Sequence, residues 1–300
     1  MNLTLKMNTP RYTYTTVNGV EVVTREVWTM NGQNHRINAP ALREWQVVDG
    51  LTVLILEGWY QNGRVHRIDE PAWREWQVVD GLAILIREEW AINRQNHRID
   101  GPAWQEWQVV DGLAILIREG WHLNGLRHRT DGPACQYWTV VEGRGIKTYE
   151  HWYLNDHIHR TDGPAHRMWQ VVDNGNVVLT LEEWYLNNCR HRRGDPARRQ
   201  WFPADGSDEV VLTREDWYLN GDLHRTDGPA LIEWHTIGLS RKEWHLNGIR
   251  IHPRILRQPV RAIERWWLFQ QARRQKVIEG TLWESGMTVF PGFMGLLREY

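Results

Sequence analysis

The chain alternates between short runs of β-forming residues and two-residue turn signals along most of its length. Residues 76–79 (W-Q-V-V) and 82–86 (L-A-I-L-I) are typical, with Asp80-Gly81 between them. Val, Ile and Trp favour strands, and Asp-Gly between two such runs is a strong hairpin signal. A second signal, Asn followed in most copies by Gly, comes about a dozen residues later. The pattern therefore predicts two hairpin turns in each unit.

Four residue types keep one spacing through the chain. The intervals between the tryptophans that open successive units are 31, 31, 31, 31, 32, 33 and 27 residues. Such a period indicates a repeat array in which each unit stacks on its neighbours. The four columns are a first tryptophan (Trp28, Trp59, Trp90, Trp121, Trp152, Trp184, Trp217, Trp244), a histidine (His35, His66, His97, His128, His159, His191, His224), a second tryptophan (Trp45, Trp76, Trp107, Trp138, Trp169, Trp201, Trp234) and a proline (Pro40, Pro71, Pro102, Pro133, Pro164, Pro196, Pro229).

The turn after the first tryptophan always begins with asparagine. Asn-Gly adopts positive φ at low cost, as a two-residue type I′ hairpin turn requires. The follower is glycine in five copies, and Arg94 is the residue least suited to that position. We expect a type I′ turn in every unit.

Strand parity limits the topology. An odd number of strands per unit would reverse the direction of each successive unit, so an even number is required. The simplest arrangement makes residues 64–79 one long strand, bent near Pro71, and pairs it with residues 82–93. The prediction is an all-β, elongated, single-domain ribbon of tandem hairpins, with a period of about 31 residues and a length of roughly 70 Å.

In this arrangement Trp59 lies opposite His66, and the equivalent pairs would form an aromatic ladder on one face. The arginine after each histidine would then point to the other face. We expect these arginines to neutralise the glutamates that lie two residues before each first tryptophan, with each exposed pair contributing about 0 to 1 kcal/mol. The arginines are Arg36, Arg67, Arg98, Arg129, Arg160, Arg192 and Arg225, and the glutamates are Glu26, Glu57, Glu88, Glu119, Glu150, Glu182 and Glu215.

The array is predicted to occupy residues 1–252, with a half unit at 11–30, seven units and a degenerate last one. Residues 253–300 are predicted to cap it. A helix over residues 260–276 follows Pro259, and its first role would be to cover the last strand edge. Its excess of basic residues, including Arg261, Arg265, Arg273 and Arg274, leaves a second interpretation: a basic amphipathic helix that binds a membrane surface, nucleic acid or an acidic partner. The apolar tail at 281–300 would pack on the ribbon or insert into a neighbouring subunit.

Composition narrows the class of partner. The 36 Lys and Arg residues balance 37 Asp and Glu residues, so the whole chain gives no electrostatic reason to expect nucleic acid. Cys135 and Cys189 lack the spacing of a disulfide or metal motif, which favours free thiols in a reducing compartment. No secretory signal or stretch of membrane-spanning length is evident. We expect an intracellular protein that is not secreted and that lies in the cytoplasm of a cell or infected host or is associated with a virion. A membrane surface is a less favoured partner than a protein.

The motif W-Y-L-N-G-x-x-H-R-x-D-G-P-A is nearly complete in residues 217–230 and 121–134. It resembles the variant MORN repeats (membrane occupation and recognition nexus) found in proteins of large DNA viruses, phages and some protists. The resemblance covers about residues 11–252 and implies hairpin ribbons used for scaffolding and for protein or lipid contact. The period here is longer than that of ordinary MORN units, and their Gly-x-Tyr-x-Gly core is absent.

Chemistry at the repeated positions is not expected. Equivalent histidines would lie about 10 Å apart, which is too far to share a metal ion. Catalysis requires one preorganised constellation, whereas every unit carries the same residues. We therefore expect no catalytic, cofactor or metal site.

Three classes of function follow. The favoured class is a non-enzymatic repeat scaffold that binds protein partners or builds a particle, with possible self-assembly through the C-terminal segment. It predicts a continuous exposed face at the variable positions just after Pro-Ala, formed by Trp73, Trp104, His166, Arg198 and Leu231. The second is a glycan-, choline- or lipid-binding module, because W-Y-L-N is also similar to the hairpins of choline- and glycan-binding cell-wall repeats. The third, an enzyme, would need a single non-repeated cleft.

Overall fold

The structure is a computed structural model that describes residues 9–173, 175–204, 208–235 and 238–252. These residues form strands, turns and loops, and no helix occurs among them. The predicted helix at 260–276 and the apolar tail lie outside the described residues. Within the described part of the chain, no helix has the length and apolar character that crossing a bilayer requires.

Eight long hairpins form the main body of the fold. Each consists of two antiparallel strands that meet at the central turn of a unit. A β-bulge shifts the register partway along all eight hairpins. In chain order their strands are Thr9–Val17 with Val20–Met30, Leu42–Val48 with Leu51–Gly58, Trp73–Val79 with Leu82–Glu89, Trp104–Val110 with Leu113–Gly120, Cys135–Val141 with Arg144–His151, His166–Val171 with Val177–Glu183, Arg198–Pro203 with Val210–Asp216, and Leu231–His235 with Gly238–Leu246.

A short hairpin follows each long one and carries the Asn-Gly turn. Six of them are separate two-stranded sheets, and the first and last are extensions of long strands. Their strands are Gln33–Asn34 (paired with the end of Val20–Met30), Tyr60–Gln61 with Arg64–Val65, Ala91–Ile92 with Gln95–Asn96, His122–Leu123 with Leu126–Arg127, Tyr153–Leu154 with His157–Ile158, Tyr185–Leu186 with Cys189–Arg190, Tyr218–Leu219 with Asp222–Leu223, and Ile249–Ile251 (paired with the end of Gly238–Leu246).

The long hairpins join one after another in chain order. Between neighbours only three residue pairs are formed, at the base of each hairpin, as in Gly58↔Trp73, Glu57↔Arg74 and Leu56↔Glu75. Each unit thus adds two strands to the main sheet, which confirms the even number that parity requires. Sixteen strands at about 4.8 Å spacing extend roughly 70 Å along the sheet.

The single long strand predicted at residues 64–79 is wrong. No strand is present between Val65 and Trp73, because the backbone around Pro71 turns and forms hydrogen bonds with two other segments of the chain. The Trp59 amide donates to the Ala72 carbonyl at 2.7 Å, and the Ala72 amide donates to the Glu89 carbonyl at 2.7 Å. The proline has no amide hydrogen to contribute at this bend.

The Asn turns confirm the predicted type I′ geometry. Every asparagine in the column has φ between 47° and 52°, and every follower also has positive φ, including Arg94 at 72°. Positive φ at both central residues matches the twist of the flanking strands. The central turns of the second to fourth long hairpins, Asp49-Gly50, Asp80-Gly81 and Asp111-Gly112, have the same signs.

The second tryptophan of each unit lies at the β-bulge. In the third long hairpin Glu75 pairs with Arg87 but Trp76 pairs with Leu85, so one residue is left over on the second strand. A bulge of this kind bends and twists the hairpin. Beyond it the hairpins have no ladder pairing with their neighbours among the described strands, and we call this distal half of each long hairpin a finger. Some neighbouring fingers still touch: a Cβ on Gly145 would lie 3.2 Å from Ile115 Cγ2, and the Asn176 side-chain amide donates to Asp208 at 2.6 Å.

Few described residues are fully buried, and most of these occupy one repeated position. The alanine after each proline has no exposed surface, in all seven units. These are Ala41, Ala72, Ala103, Ala134, Ala165, Ala197 and Ala230. Most tryptophans are only half-buried. Stability therefore depends on repeated local contacts between neighbours, as expected for a repeat array.

Candidate functional site

The arginine column folds back onto the first tryptophan of its own unit. The Arg67 guanidinium carbon lies 3.8 Å from the centre of the Trp59 ring, and its Nη1 donates to the Pro71 carbonyl at 3.3 Å. A guanidinium over an indole contributes about 0.5 to 2 kcal/mol. The other stacked pairs, at 3.9 to 4.1 Å, are Arg36/Trp28, Arg98/Trp90, Arg129/Trp121, Arg160/Trp152, Arg192/Trp184 and Arg225/Trp217.

This contact corrects the expectation that the arginines point away from the tryptophans. The loop after each histidine curls back, and strand parity cannot describe such a curl. The curl also accounts for the glycine of D-G-P: a Cβ on Gly101 would lie 2.7 Å from the Arg98 guanidinium carbon. Where an acid replaces that glycine, as at Asp195, it pairs with the arginine instead, at 3.0 Å from Arg192.

The histidine column links successive units. The His66 amide donates to the Trp59 carbonyl at 2.9 Å, so the two residues lie opposite each other as predicted. The imidazole, however, reaches the next unit, where the Asn93 amide donates to His66 Nδ1 at 3.2 Å. Equivalent contacts join His35 to Asn62, His97 to Asn124, His159 to Asn187, His191 to Asn220 and His224 to Asn247. His128 contacts the side-chain Oδ1 of Asn155 at 2.7 Å. The predicted Trp–His ladder is therefore replaced by a His–Asn bridge between units.

The glutamate column forms ion pairs along the same face, but mostly with other arginines than predicted. Glu57 pairs with Arg74 at 3.2 Å, and Arg167 contacts both Glu150 and Glu182. Only Arg36 and Arg129 of the stacked arginines approach this column, at 3.7 and 3.9 Å. The strand arginines are closer because they lie directly opposite the glutamates in the ladder.

The variable positions form one row across the other face of the sheet, here called the base row. Trp73 pairs with Gly58 and Glu89, and His166 pairs with His151 and Glu183. Directly paired residues point to the same face of a sheet. From Leu42 onward the base row is Leu42, Gly58, Trp73, Glu89, Trp104, Gly120, Cys135, His151, His166, Glu183, Arg198, Asp216, Leu231 and Glu243.

The five predicted residues of this face are thus brought together, but they are not freely exposed. Trp73, Trp104, His166 and Arg198 are half-buried, and Leu231 is buried. Partner binding at these positions stays a prediction. Arg261, Arg265, Arg273 and Arg274 lie outside the described residues.

In the first half of the base row, indoles cover glycines. A Cβ on Gly120 would lie 2.7 Å from Cζ2 of Trp104, and one on Gly58 would lie 2.9 Å from Cε3 of Trp73. Real side chains essentially never come so close, so each indole occupies the space above a bare α-carbon. Trp73 Nε1 also donates to Glu75 at 2.6 Å.

In the middle of the base row, two imidazoles stack. The His151 and His166 ring centres are 4.3 Å apart, and the Tyr149 hydroxyl lies 2.7 Å from His151 Nδ1. Burial, together with the nearby His166, lowers the pKa of His151 to about 3. Burial also raises the pKa of Tyr149. His151 is therefore neutral at physiological pH.

In the second half, charges close the row. Burial alone would raise the pKa of Glu183, but His166 at 3.0 Å and Arg190 at 2.8 Å outweigh it and lower the pKa to about 2. Asp216 has no exposed surface; burial raises its pKa although Arg214 lies 2.9 Å away. This half holds a partly buried network of ion pairs.

Among the described residues, no group of three or more His, Cys, Asp and Glu side chains is placed to hold an ion. Cys135 is free, and burial raises the pKa of its thiol to about 11.

Neither a family model, nor a curated protein, nor a solved structure matches this chain.

Sequence reasoning identified one half of the base row and missed the other. The missed residues precede the first tryptophan of each unit, and His151, Glu183 and Asp216 are the chemically notable ones. Their signal was variation: this position changes from Gly to Glu, His and Asp between units whose neighbouring positions are constant. Because the ladder alternates between the two strands of each hairpin, both variable positions belong to the same row.

Proposed function

We propose that this protein is a non-enzymatic repeat scaffold that binds protein partners or builds a particle. The observation that carries the proposal is the difference between the repeated residues, which are the same in every unit, and the base row, which is not. The repeated Trp, Arg, His and Asn residues bind one another, whereas the base row changes chemistry from unit to unit. A constant frame that tolerates a changing row, with exposed side chains beside that row, suits the recognition of extended partners by a repeat protein.

The surface beside the base row offers contact groups. Tyr137 and Met168 are 37% and 40% exposed and lie on the same face, two residues beyond the base row. The Arg118 guanidinium carbon lies 5.8 Å from the Tyr137 ring centre, and its side chain is more than half exposed. Aromatic, Met and Arg side chains are enriched at protein interfaces. In this proposal a protein partner contacts these three residues.

We also propose a family and a location. The chain would be a variant MORN repeat protein of a viral or phage type, acting inside a cell or on a virion, with residues 253–300 as its cap. The support is the W-Y-L-N-G-x-x-H-R-x-D-G-P-A motif, together with two unpaired cysteines, which suit a reducing compartment.

A choline- or glycan-binding module takes second place because of the stacked arginines. Each of the seven guanidiniums lies about 4 Å above a first-column indole. A quaternary ammonium would bind over the same aromatic face. The ligand would have to displace an internal cation that also donates to a backbone carbonyl.

Affinity capture from the native source tests the scaffold. The full chain is compared with a variant that combines Arg118→Ala, Tyr137→Ser and Met168→Ser, and with a control variant that combines Thr130→Ala and Thr161→Ala at exposed loop positions. We expect the first variant to capture about 10-fold less of a specific partner than the wild type does, or less still. The control should capture as much as the wild type.

Two outcomes would overturn the proposal. One is the absence of any protein enriched over a tag-only control. The other is a rise in melting temperature with choline or a glycan, accompanied by unchanged capture in the Arg118/Tyr137/Met168 variant. The second result would assign the surface to small-ligand binding.

A further inference from the structure

The fingers of the second, third and fourth long hairpins have almost the same amino-acid sequence. Residues 45–54, 76–85 and 107–116 read W-Q-V-V-D-G-L followed by T-V-L or A-I-L. Each contains one charged residue, the turn aspartate: Asp49, Asp80 and Asp111. Such near-identity sets these fingers apart from the later ones, where the fifth hairpin has Arg144 and Lys147 in the same region.

Each of these three fingers ends in an exposed leucine. Leu51, Leu82 and Leu113 are 72%, 70% and 69% exposed, and each pairs across the turn with a half-buried valine. A single exposed leucine needs no explanation, but three at equivalent positions form an apolar line flanked by acids. We call Leu51, Leu82 and Leu113 with Asp49, Asp80 and Asp111 the fingertip line.

The spacing of the fingertip line fits an α-helix. Successive fingers are two strands apart, about 10 Å. Residues i and i+7 of a helix are about 10.5 Å apart along its axis and lie on nearly the same side. An amphipathic helix laid across the fingers could therefore place one apolar group at each tip. The three aspartates would favour a basic helix over an acidic one.

Residues 260–276 of this chain have the required chemistry. Their sequence predicts a helix of about 25 Å, long enough for three fingertips. Val260 and Trp267 have the spacing of two neighbouring leucines, and Arg274, seven residues further on, falls at the third tip beside its aspartate. Arg261, Arg265, Arg273, Arg274 and Lys276 outnumber Glu264. Charge and length both complement the fingertip line.

The same copy cannot supply this helix. The described chain ends at His252, next to the eighth long hairpin, and residues 253–259 span at most about 25 Å. The fourth long hairpin is four units away from the eighth, about 40 Å along the sheet. The helix must come from a second copy.

We propose that residues 260–276 of one copy dock on the fingertip line of another, so that the protein assembles head to tail. The inference rests on the proposed scaffold function and gives it a self-assembly site. A contact between two different surfaces, repeated from copy to copy, produces rings or filaments.

Sedimentation velocity on the full chain across a range of concentrations is the test. The wild type is expected to assemble with increasing concentration. A variant with Leu51→Ser, Leu82→Ser and Leu113→Ser should associate about 100-fold more weakly, since three leucines lose their burial. The matched control changes three other exposed apolar residues of neighbouring units, Ile37→Ser, Ile68→Ser and Ile99→Ser, and should assemble as the wild type does.

A mixing experiment identifies the occupant. The Leu variant keeps its own basic segment, and a variant with Arg261→Glu and Arg265→Glu keeps its fingertips. Each alone should remain monomeric, whereas a mixture should form one-to-one pairs and nothing larger, because only one productive contact can form.

Three results would overturn the inference: a wild type that stays monomeric, a Leu variant that assembles normally, or a mixture that forms no pairs although the wild type assembles. Flotation of the wild type, but not the Leu variant, with phosphatidylcholine vesicles would reassign the fingertips to lipid. None of these results affects the partner capture that depends on Arg118, Tyr137 and Met168, so failure here is distinguishable from failure of the scaffold proposal.

Discussion

The two halves of the base row have the same backbone pairing but differ in the side-chain contacts that bury them. In the third and fourth long hairpins, Trp73 and Trp104 lie over glycines. In the sixth and seventh, His166, Arg198 and Glu183 form a network of ion pairs. Yet each boundary between hairpins has the same three residue pairs. The difference teaches that register is set elsewhere, by the repeated columns on the opposite face and in the loops, so the chemistry of the row is free to change.

The comparison also separates two kinds of stability. Indole over glycine excludes water without charges, so it should be insensitive to pH. The imidazole and carboxylate groups of the second half depend on their protonation states. Acid should therefore loosen the middle of the array through His151 and, at lower pH, through Glu183. Protonation of Asp216, whose pKa burial raises, removes a buried charge and has the opposite sign.

The largest expected effect is acid destabilisation through His151. Its pKa is lowered to about 3 in the fold against 6.5 unfolded. A base with a depressed folded pKa contributes full stability above the unfolded pKa and loses it as pH falls from 6.5 toward 3. At pH 4.5 the loss is about 2 to 3 kcal/mol, from about 1.36 kcal/mol per pH unit. Denaturant midpoints between pH 7.5 and 4.5 measure it.

His151→Asn is the control for that titration, because it keeps a polar side chain and cannot be protonated in this range. Its stability curve should be flatter than that of the wild type between pH 6.5 and 4.5. Below about pH 4.5 both proteins should lose the contribution of Glu183, whose pKa is lowered to about 2. Equal slopes for the two proteins above pH 4.5 would contradict the role given to His151.

A smaller effect is expected in the first half from Gly120→Ala. The new Cβ would lie 2.7 Å from Trp104 Cζ2, so the indole must shift, at a cost of about 1 to 3 kcal/mol. Thermal or urea unfolding measures the loss, which should be the same at pH 7.5 and 4.5. In the double variant with Trp104→Ala the clash disappears, and the glycine change should then cost much less than in the wild type. Additive costs would mean that the indole does not occupy the space above Gly120.

The smallest effect concerns the frame that the halves share. Arg67→Ala and Arg160→Ala each remove a stack on tryptophan and a hydrogen bond to a proline carbonyl, with nearly equal distances. Each also removes an ion pair with an exposed acid, Glu70 or Asp162. Each should cost about 1 kcal/mol, and the two should agree within about 0.5 kcal/mol. Lysine at either position keeps the charge but loses the planar stack, so it should recover only part of the loss. A twofold difference between the sites would show that the frame is not independent of the row.

Sequence alone predicted the parts of this fold that depend on local conformation. The Asn turns are type I′ because Asn and Gly accept positive φ, and the paired-strand unit follows from parity. The arginine stack on Trp59 was missed because it depends on the path of the loop through Pro71, which no periodic rule describes. The His–Asn bridge was missed for a similar reason: it joins residues 27 positions apart in different units.

The base row could be half predicted. Variation after Pro-Ala identified Trp73, Trp104 and His166, but their burial depends on which residue lies opposite. Gly120 leaves space for a large neighbour, whereas Glu183 binds one by charge. Such complementarity is visible only after the register of adjacent hairpins is known.

The three-pair seam between long hairpins, joined by its His–Asn bridge, is the same wherever two units meet. A block of 31 residues such as 104–134 could therefore be deleted or copied without creating a junction of a new kind. The length of the protein can then change without a change in how each unit folds. Duplication of one unit within the gene would lengthen the sheet by about 10 Å.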